Sequence, residues 1–144
     1  MSPIHATSVA RRTPEGWRGI LLTGPSGAGK SDMALRLIGR GWRLVADDYS
    51  LVWRSGDGAL YAAAPPAIAG RIEARGVGIV SAPTVALAPM VLVVECGREP
   101  AERMPERRTV RIAGVDLPAL RLDIRPASAV ETVLARLGSG LPAP

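Results

Sequence analysis

The densest chemistry in this sequence lies in one stretch, Gly24-Pro25-Ser26-Gly27-Ala28-Gly29-Lys30-Ser31. The pattern G-x-x-x-x-G-K-[ST] cradles phosphates when it joins a buried strand to a helix. Glycines let consecutive backbone N–H groups turn inward without a Cβ in the way. A helix starting near Ser31 turns its partial positive end toward the anion. Lys30 adds a mobile full charge for the β/γ-phosphates, and the Ser31 hydroxyl can ligate Mg²⁺. The bland alternative is a glycine turn with a chance lysine. Against it stands the context: the apolar run Gly19-Ile20-Leu21-Leu22 precedes the loop and an amphipathic segment follows it. The ligand class is a nucleotide.

Asp47 and Asp48 form the second candidate group. They close the short apolar segment Leu44-Val45-Ala46. Strand alternation would send their side chains to opposite sides, so that one carboxylate could face a metal and the other an acceptor hydroxyl. In open α/β sheets ligands collect at the carboxyl ends of strands, where this pair is expected. A polar Asx-type turn is the competing reading. Three further residues carry chemistry that spacing alone does not promote. Glu73 reads as a solvated helix residue beside Arg71 and Arg75. His5 is a lone histidine near a terminus. Arg103 sits in a charged stretch.

The elements that must position these groups can be read in outline. Strands are predicted over 4–10, 17–23, 43–46, 51–53, 59–62, 90–95 and 120–124. The last shows Leu120, Leu122 and Ile124 alternating with charged residues. Met33, Ala34, Leu37 and Ile38 give a helix over 31–40 an apolar stripe, with Gly41 as its terminator. Ser55 to Gly58 reads as a turn. Pro65-Pro66 is taken to open a helix over 67–74. Residues 98–108 are charged and expected to be exposed. Ser128-Ala129-Val130-Glu131 resembles a capping box opening a helix to 137. The expected architecture is α/β: a single domain over 1–137, with flanking helices, and a flexible tail over 138–144.

Composition sets the bounds. A chain of 144 residues, 47% hydrophobic, has enough apolar material for one core. Phe is absent and aromatics make up 3%, so Ala, Val, Leu and Ile must build that core. The net charge of +5 favours an anionic partner. The basic residues are spread along the chain and not gathered into one block, which argues against nucleic acid. Cys96 is the only cysteine, excludes an intrachain disulfide and reads as a buried thiol. No signal peptide or bilayer-length apolar run is visible. A cytoplasmic protein with no membrane association is the expectation.

Taken together, several segments resemble the catalytic domain of HPr kinase/phosphorylase. They are Ile4-His5-Ala6-Thr7, the G-x-S-G-x-G-K-S form of the loop, and Leu35 to Gly41 leading into Arg43-Leu44-Val45-Ala46-Asp47-Asp48. Ala64-Pro65-Pro66-Ala67-Ile68 and Ile72-Glu73-Ala74-Arg75-Gly76-Val77-Gly78-Ile79 complete the set. The resemblance covers residues 4–81 and implies the mixed sheet of the HPr kinase/phosphoenolpyruvate carboxykinase-like fold. It implies ATP and Mg²⁺ as cofactors, an HPr-like phosphocarrier as protein partner, and a hexameric homo-oligomer. It makes His5 the active-site histidine, Lys30 the phosphate contact, and Ser31 and Glu73 the Mg²⁺ ligands. Asp48 becomes the base that takes the serine proton, Asp47 its support or the metal's, and Arg103 the active-site arginine. The chain departs from the family where Gly-Arg-Asn is replaced by Ala127-Ser128-Ala129, in a loop tied to the phosphorylase direction. It also lacks a counterpart of the family's N-terminal domain and C-terminal extension, and this short form resembles that of α-proteobacteria.

The activity so implied is serine phosphorylation of an HPr-like protein by in-line phosphoryl transfer, with weak reversal. Such catalysis is mostly positioning and electrostatics. Two rivals use the same loop. A small-metabolite kinase would need a lid, and no insertion of lid length is present. A non-catalytic nucleotide-sensing module would need Lys30 and Ser31 but neither Asp48 nor Glu73.

Overall fold

A computed structural model describes residues 1–100 and 102–138 of the chain. Strand β1 (Ser2–Thr13) turns at Gly16 into the antiparallel β2 (Gly16–Thr23), with Val9 opposite Ile20 and Arg11 opposite Arg18. The glycine loop follows and delivers the chain to α1 (Lys30–Ile38). β3 (Arg43–Ala46) returns beside the second half of β1, and β4 (Tyr49–Arg54) beside its first half. β3 and β4 thus run as one line along β1, interrupted only at Asp47 and Asp48.

β5 (Leu60–Ala63) makes a hairpin with β4 across the predicted turn at Ser55 to Gly58. A single 3-10 turn at Pro66–Ile68 leads to a small separate hairpin, β6 (Arg71–Ala74) and β7 (Gly78–Ser81). β8 (Leu87–Cys96) is central: it pairs antiparallel with β5 and parallel with both β2 and β10 (Val115–Leu122). β9 (Arg108–Ile112) forms the open edge against β10. α2 (Ala129–Gly138) closes the described chain. The pairings β2–β1–β4–β5–β8 return to β2, so the mixed sheet curls into a ring with β10 and β9 as a side branch.

Strand alternation sorts the side chains into two cores. Val9, Ile20, Leu22, Leu92 and Val94 face out of the ring and are covered by Met33 and Leu37 of α1 and Val130 and Val133 of α2. Their neighbours Ala10, Leu21 and Val93 face inward with Val52, Leu60 and Met90. The absence of Phe is met by tight aliphatic packing, and these side chains are essentially inaccessible to solvent.

Several sequence expectations need correction. Residues 67–74 are not a helix: the 3-10 turn ends at Ile68, Gly70 takes a φ of 77°, and Ile72 and Glu73 alternate in and out as strand residues. The strand expected over 120–124 runs instead from Val115 to Leu122, paired with a β9 that the sequence did not suggest. The capping box does not form. Both oxygens of Glu131 go to Arg40, in the turn that follows α1, tying the end of one helix to the start of the other. Gly138 lies within α2, and 139–144, expected as a flexible tail, lie outside the described residues. Among the described residues no helix is long and apolar enough to cross a membrane.

Candidate active site

β2 and β8 run parallel and end side by side, with Thr23 opposite Glu95. The glycine loop leaves β2 at that point. Gly24 holds a φ of 138°, and a Cβ there would come 2.4 Å from the carbonyl oxygen of Cys96. Glycine is therefore required by close approach to β8 as well as by its backbone angle. Gly27 and Gly29 also have positive φ, and Gly29 is the N-cap of α1. The loop is pinned by a hydrogen bond from Ala28 N–H to Pro25 O at 3.2 Å.

Lys30, the only lysine in the sequence, is buried. Its Nζ donates to Gly24 O at 2.6 Å and Pro25 O at 2.9 Å, folding the ammonium back across its own loop. Neutral carbonyls hold it, and among the described residues no carboxylate pairs with it. The charge is thus kept available beside the helix N-terminus, an arrangement suited to an anion.

Asp47 and Asp48 are separated as expected, but not by strand alternation. They form a bend between β3 and β4, and Asp48 adopts a φ of 67°. Asp47 turns inward and accepts three hydrogen bonds: from Ser31 Oγ at 2.7 Å, Thr7 Oγ1 at 3.0 Å and Glu73 N–H at 3.0 Å. One buried carboxylate therefore joins α1, β1 and β6. Asp48 turns outward; its carboxylate is 64% exposed and lies 3.0 Å from His5 Nε2. An ionised carboxylate only accepts, so the imidazole Nε2–H donates. Tyr49 packs against the His5 ring, with centroids 5.3 Å apart.

Thr7 is the residue that sequence reasoning missed. Its hydroxyl donates to Asp47 and accepts the Asp48 N–H at 3.1 Å, so one buried oxygen orients both acids. The available signal was its spacing from His5, which puts both on one face of β1. Arg75 was read only as a neighbour of Glu73, yet it lines the same cleft.

A cleft of about 190 Å³ gathers His5, Lys30, Ser31, Asp48, Glu73 and Arg75. Arg103 does not join them: it is exposed in the segment between β8 and β9 and is absent from the cleft lining. Ser31 gives its hydrogen to Asp47, leaving lone pairs free for a cation, and Glu73 presents an exposed carboxylate to the same space. An oxygen-only donor set of this kind fits Mg²⁺. The loop after β10 closes the far side of the glycine loop. Arg36 Nη1 donates to Pro126 O at 3.2 Å and Arg36 also donates to Ile124 O, while Arg125 pairs with Asp123 at 2.8 Å. That pairing holds the Asp123 carboxyl well below the usual range, at about 2. Cys96, beneath Gly24, is buried, and burial raises its thiol to about 12 although the Lys30 charge pulls the other way.

Residues 17–137 match the HPr serine kinase C-terminal domain. The HPr kinase/phosphorylase of Chloroherpeton thalassium is 35% identical over 131 residues, covering 83% of this chain and 38% of that protein. That of Geobacillus kaustophilus is 37% identical over 120 residues, covering 75% and 39%. The chain thus spans about two-fifths of the length of these curated relatives. The solved HPr(Ser) kinase/phosphatase of Coxiella burnetii superposes with a TM-score of 0.78 at 25% identity, covering 96% of this chain and 89% of that one. On the extent of the family match and the fold it shares, this chain belongs to the HPr serine kinase C-terminal domain family.

Proposed function

We propose that the chain is an ATP-dependent protein-serine kinase whose acceptor is an HPr-like phosphocarrier, with residues 1–137 as one catalytic unit. The observation that carries this reading is the juxtaposition in one cleft of Lys30 and Ser31 with the exposed carboxylate of Asp48. The glycine loop is a phosphate loop. Its amides and Lys30 hold the β/γ-phosphates of ATP. Ser31 and Glu73 would hold Mg²⁺, with Asp47 fixing the Ser31 hydroxyl from behind. The ion, when bound, supplies neutralisation of phosphate charge. Asp48 takes the proton of the acceptor serine as its oxygen attacks the γ-phosphorus, and the ADP oxygen leaves in line. His5 is a positioning residue, donating to Asp48 and keeping it turned toward the acceptor. A carboxylate this open to solvent suits a serine presented on a protein surface better than a metabolite enclosed in a pocket.

The test is incubation of the purified chain with radiolabelled ATP, Mg²⁺, an HPr-like protein and a panel of small hydroxylated metabolites. Label on the serine of the phosphocarrier is expected. Label only on a metabolite, or nucleotide binding with no transfer at all, would overturn the reading in favour of a metabolite kinase or a nucleotide sensor respectively.

A further inference from the structure

At the end of β1 and β2 remote from the glycine loop lies a second and larger hollow, of about 480 Å³. This is within the range of ligand pockets. Its wall carries Arg11 and Arg18, and its floor is apolar: Ile20, Trp42, Val91 and Leu137. Arg11 and Arg18 are direct cross-strand partners in the β1–β2 ladder. Their side chains therefore leave the same face of the sheet, the face covered by α1. Like charges directly opposite each other destabilise a strand pair. Neither forms an ion pair with a carboxylate among the described residues. Arg11 lies over the Trp42 ring at 5.3 Å, and Arg18 Nη1 donates to the Trp17 carbonyl at 2.7 Å. Glu15 also lines the hollow but forms no ion pair with either arginine; the Thr13 hydroxyl lies 3.2 Å from its carboxylate and donates to the Gly16 carbonyl at 2.7 Å. Arg12, Arg43, Arg54, Arg71, Arg75, Arg98, Arg103 and Arg107 likewise form no ion pair among the described residues, so it is the direct cross-strand opposition of Arg11 and Arg18 beside an apolar floor that sets this pair apart.

Two arginines on directly opposed positions of one sheet face, neither ion-paired among the described residues and both lining a hollow with an apolar floor, define a ligand. A guanidinium fork matches phosphate oxygens two at a time. A phosphate monoester carries a charge of about −1.5 to −2 at neutral pH, which balances two arginines where a single carboxylate cannot. The apolar floor requires the remainder of the ligand to have a body that covers Trp42 and Leu137. We propose that this hollow is a second ligand site, taking a phosphate monoester whose phosphate bridges Arg11 and Arg18 and whose body rests on Trp42.

The test uses phenyl phosphate as the probe, with benzoate and inorganic phosphate as comparisons. Amide and indole N–H signals of the isotopically labelled chain are followed by NMR. Phenyl phosphate is expected to shift the Trp42 indole saturably, and benzoate and inorganic phosphate to bind roughly tenfold or more weakly, the worth of a lost charge-assisted contact. Arg18→Gln should lose a similar factor while its melting temperature in phosphate-free buffer is unchanged or raised, since a repulsion has been removed. Shifts confined to the Gly27 and Gly29 amides would mean binding at the glycine loop only and would overturn the proposal. So would equal affinity for benzoate or inorganic phosphate. Should Arg18→Gln fail to fold, Arg11→Lys serves instead: it keeps the charge, loses the fork, and should still weaken phenyl phosphate.

Discussion

His5 Nε2 lies 3.0 Å from Asp48 Oδ1, although 43 positions separate the two residues along the chain. The contact exists because β4 begins opposite His5 on β1, and it aims the only outward-facing acid of the bend. Asp48→Asn preserves the shape of the side chain but cannot take a proton. Transfer to serine should fall by roughly 10²–10⁴, with nucleotide binding nearly unchanged. Asp47→Asn should behave differently, since an amide would place its N–H₂ against at least one of three donors. It should cost about 1–3 kcal/mol of stability and weaken Mg·ATP binding. Urea denaturation and isothermal titration of the two variants separate these outcomes, and equal, modest effects from both would leave no base in the site.

Thr7→Val removes the hydroxyl that orients both acids while nearly keeping its volume. A buried carboxylate loses a donor and the Asp48 N–H loses its acceptor. A loss of about 1–3 kcal/mol in urea denaturation is expected, as for other unsatisfied buried groups. Thr7→Ser keeps the hydroxyl and should restore most of the activity; failure of this rescue would mean that packing, not hydrogen bonding, is what Thr7 supplies.

Because Lys30 is the only lysine, amine acylation can reach it and the amino terminus alone. Loss of activity should track acylation of the Lys30 peptide by mass spectrometry. Mg·ATP at 100 times its Kd should slow that acylation by about 100-fold, the factor set by simple mass action. Lys30→Ala should abolish transfer and weaken ATP binding, and unchanged affinity by calorimetry would contradict the assignment of the loop.

The Cys96 thiol gives a pH signature. Its pKa rises from the ordinary 9.0 to about 12 through burial, so the folded state holds the proton more tightly than the unfolded state does. This contribution to stability is fully present below pH 9.0 and is lost as pH climbs toward 12. Native protein should resist iodoacetamide at pH 8 and react at once in denaturant. Cys96→Ala should flatten the alkaline part of the stability profile.

Direction of transfer is testable in the same preparation. The resemblance implies that Ala127-Ser128-Ala129 replaces a Gly-Arg-Asn segment tied to reversal, so phosphoryl transfer to serine should outpace dephosphorylation by inorganic phosphate. Comparable initial rates in the two directions would show that the replaced segment is dispensable.

The strand–glycine loop–helix unit was legible because its signal is local: a strand, a glycine run and a helix are contiguous in sequence. Glu73 was legible only through resemblance. Its local context, two prolines followed by small apolar residues, imitates a helix start, whereas the element is fixed by Gly70 and by the Gly76 and Gly78 turn joining β6 to β7. Thr7 was signalled only by its spacing from His5, because its partners, the two acids, come from a different part of the chain. β9 escaped notice for a similar reason: Arg108 to Ile112 reads as a solvated stretch and becomes a strand only by pairing with β10 across the Ala113-Gly114 turn.

The line formed by β3 and β4 along β1 has a bearing on which insertions and deletions the chain can tolerate. Side chains in a strand alternate with a period of two. Removing or adding one residue between Ala46 and Tyr49 would turn β4 over against a fixed β1. Ser50 and Val52 would leave the interior, and Leu51 and Trp53 would be driven into it. Substitution at Asp47 or Asp48 changes the chemistry of the cleft and leaves the sheet standing. A change in the number of residues there dismantles the ring of strands, so the spacing of the acids is held more strictly than their identity.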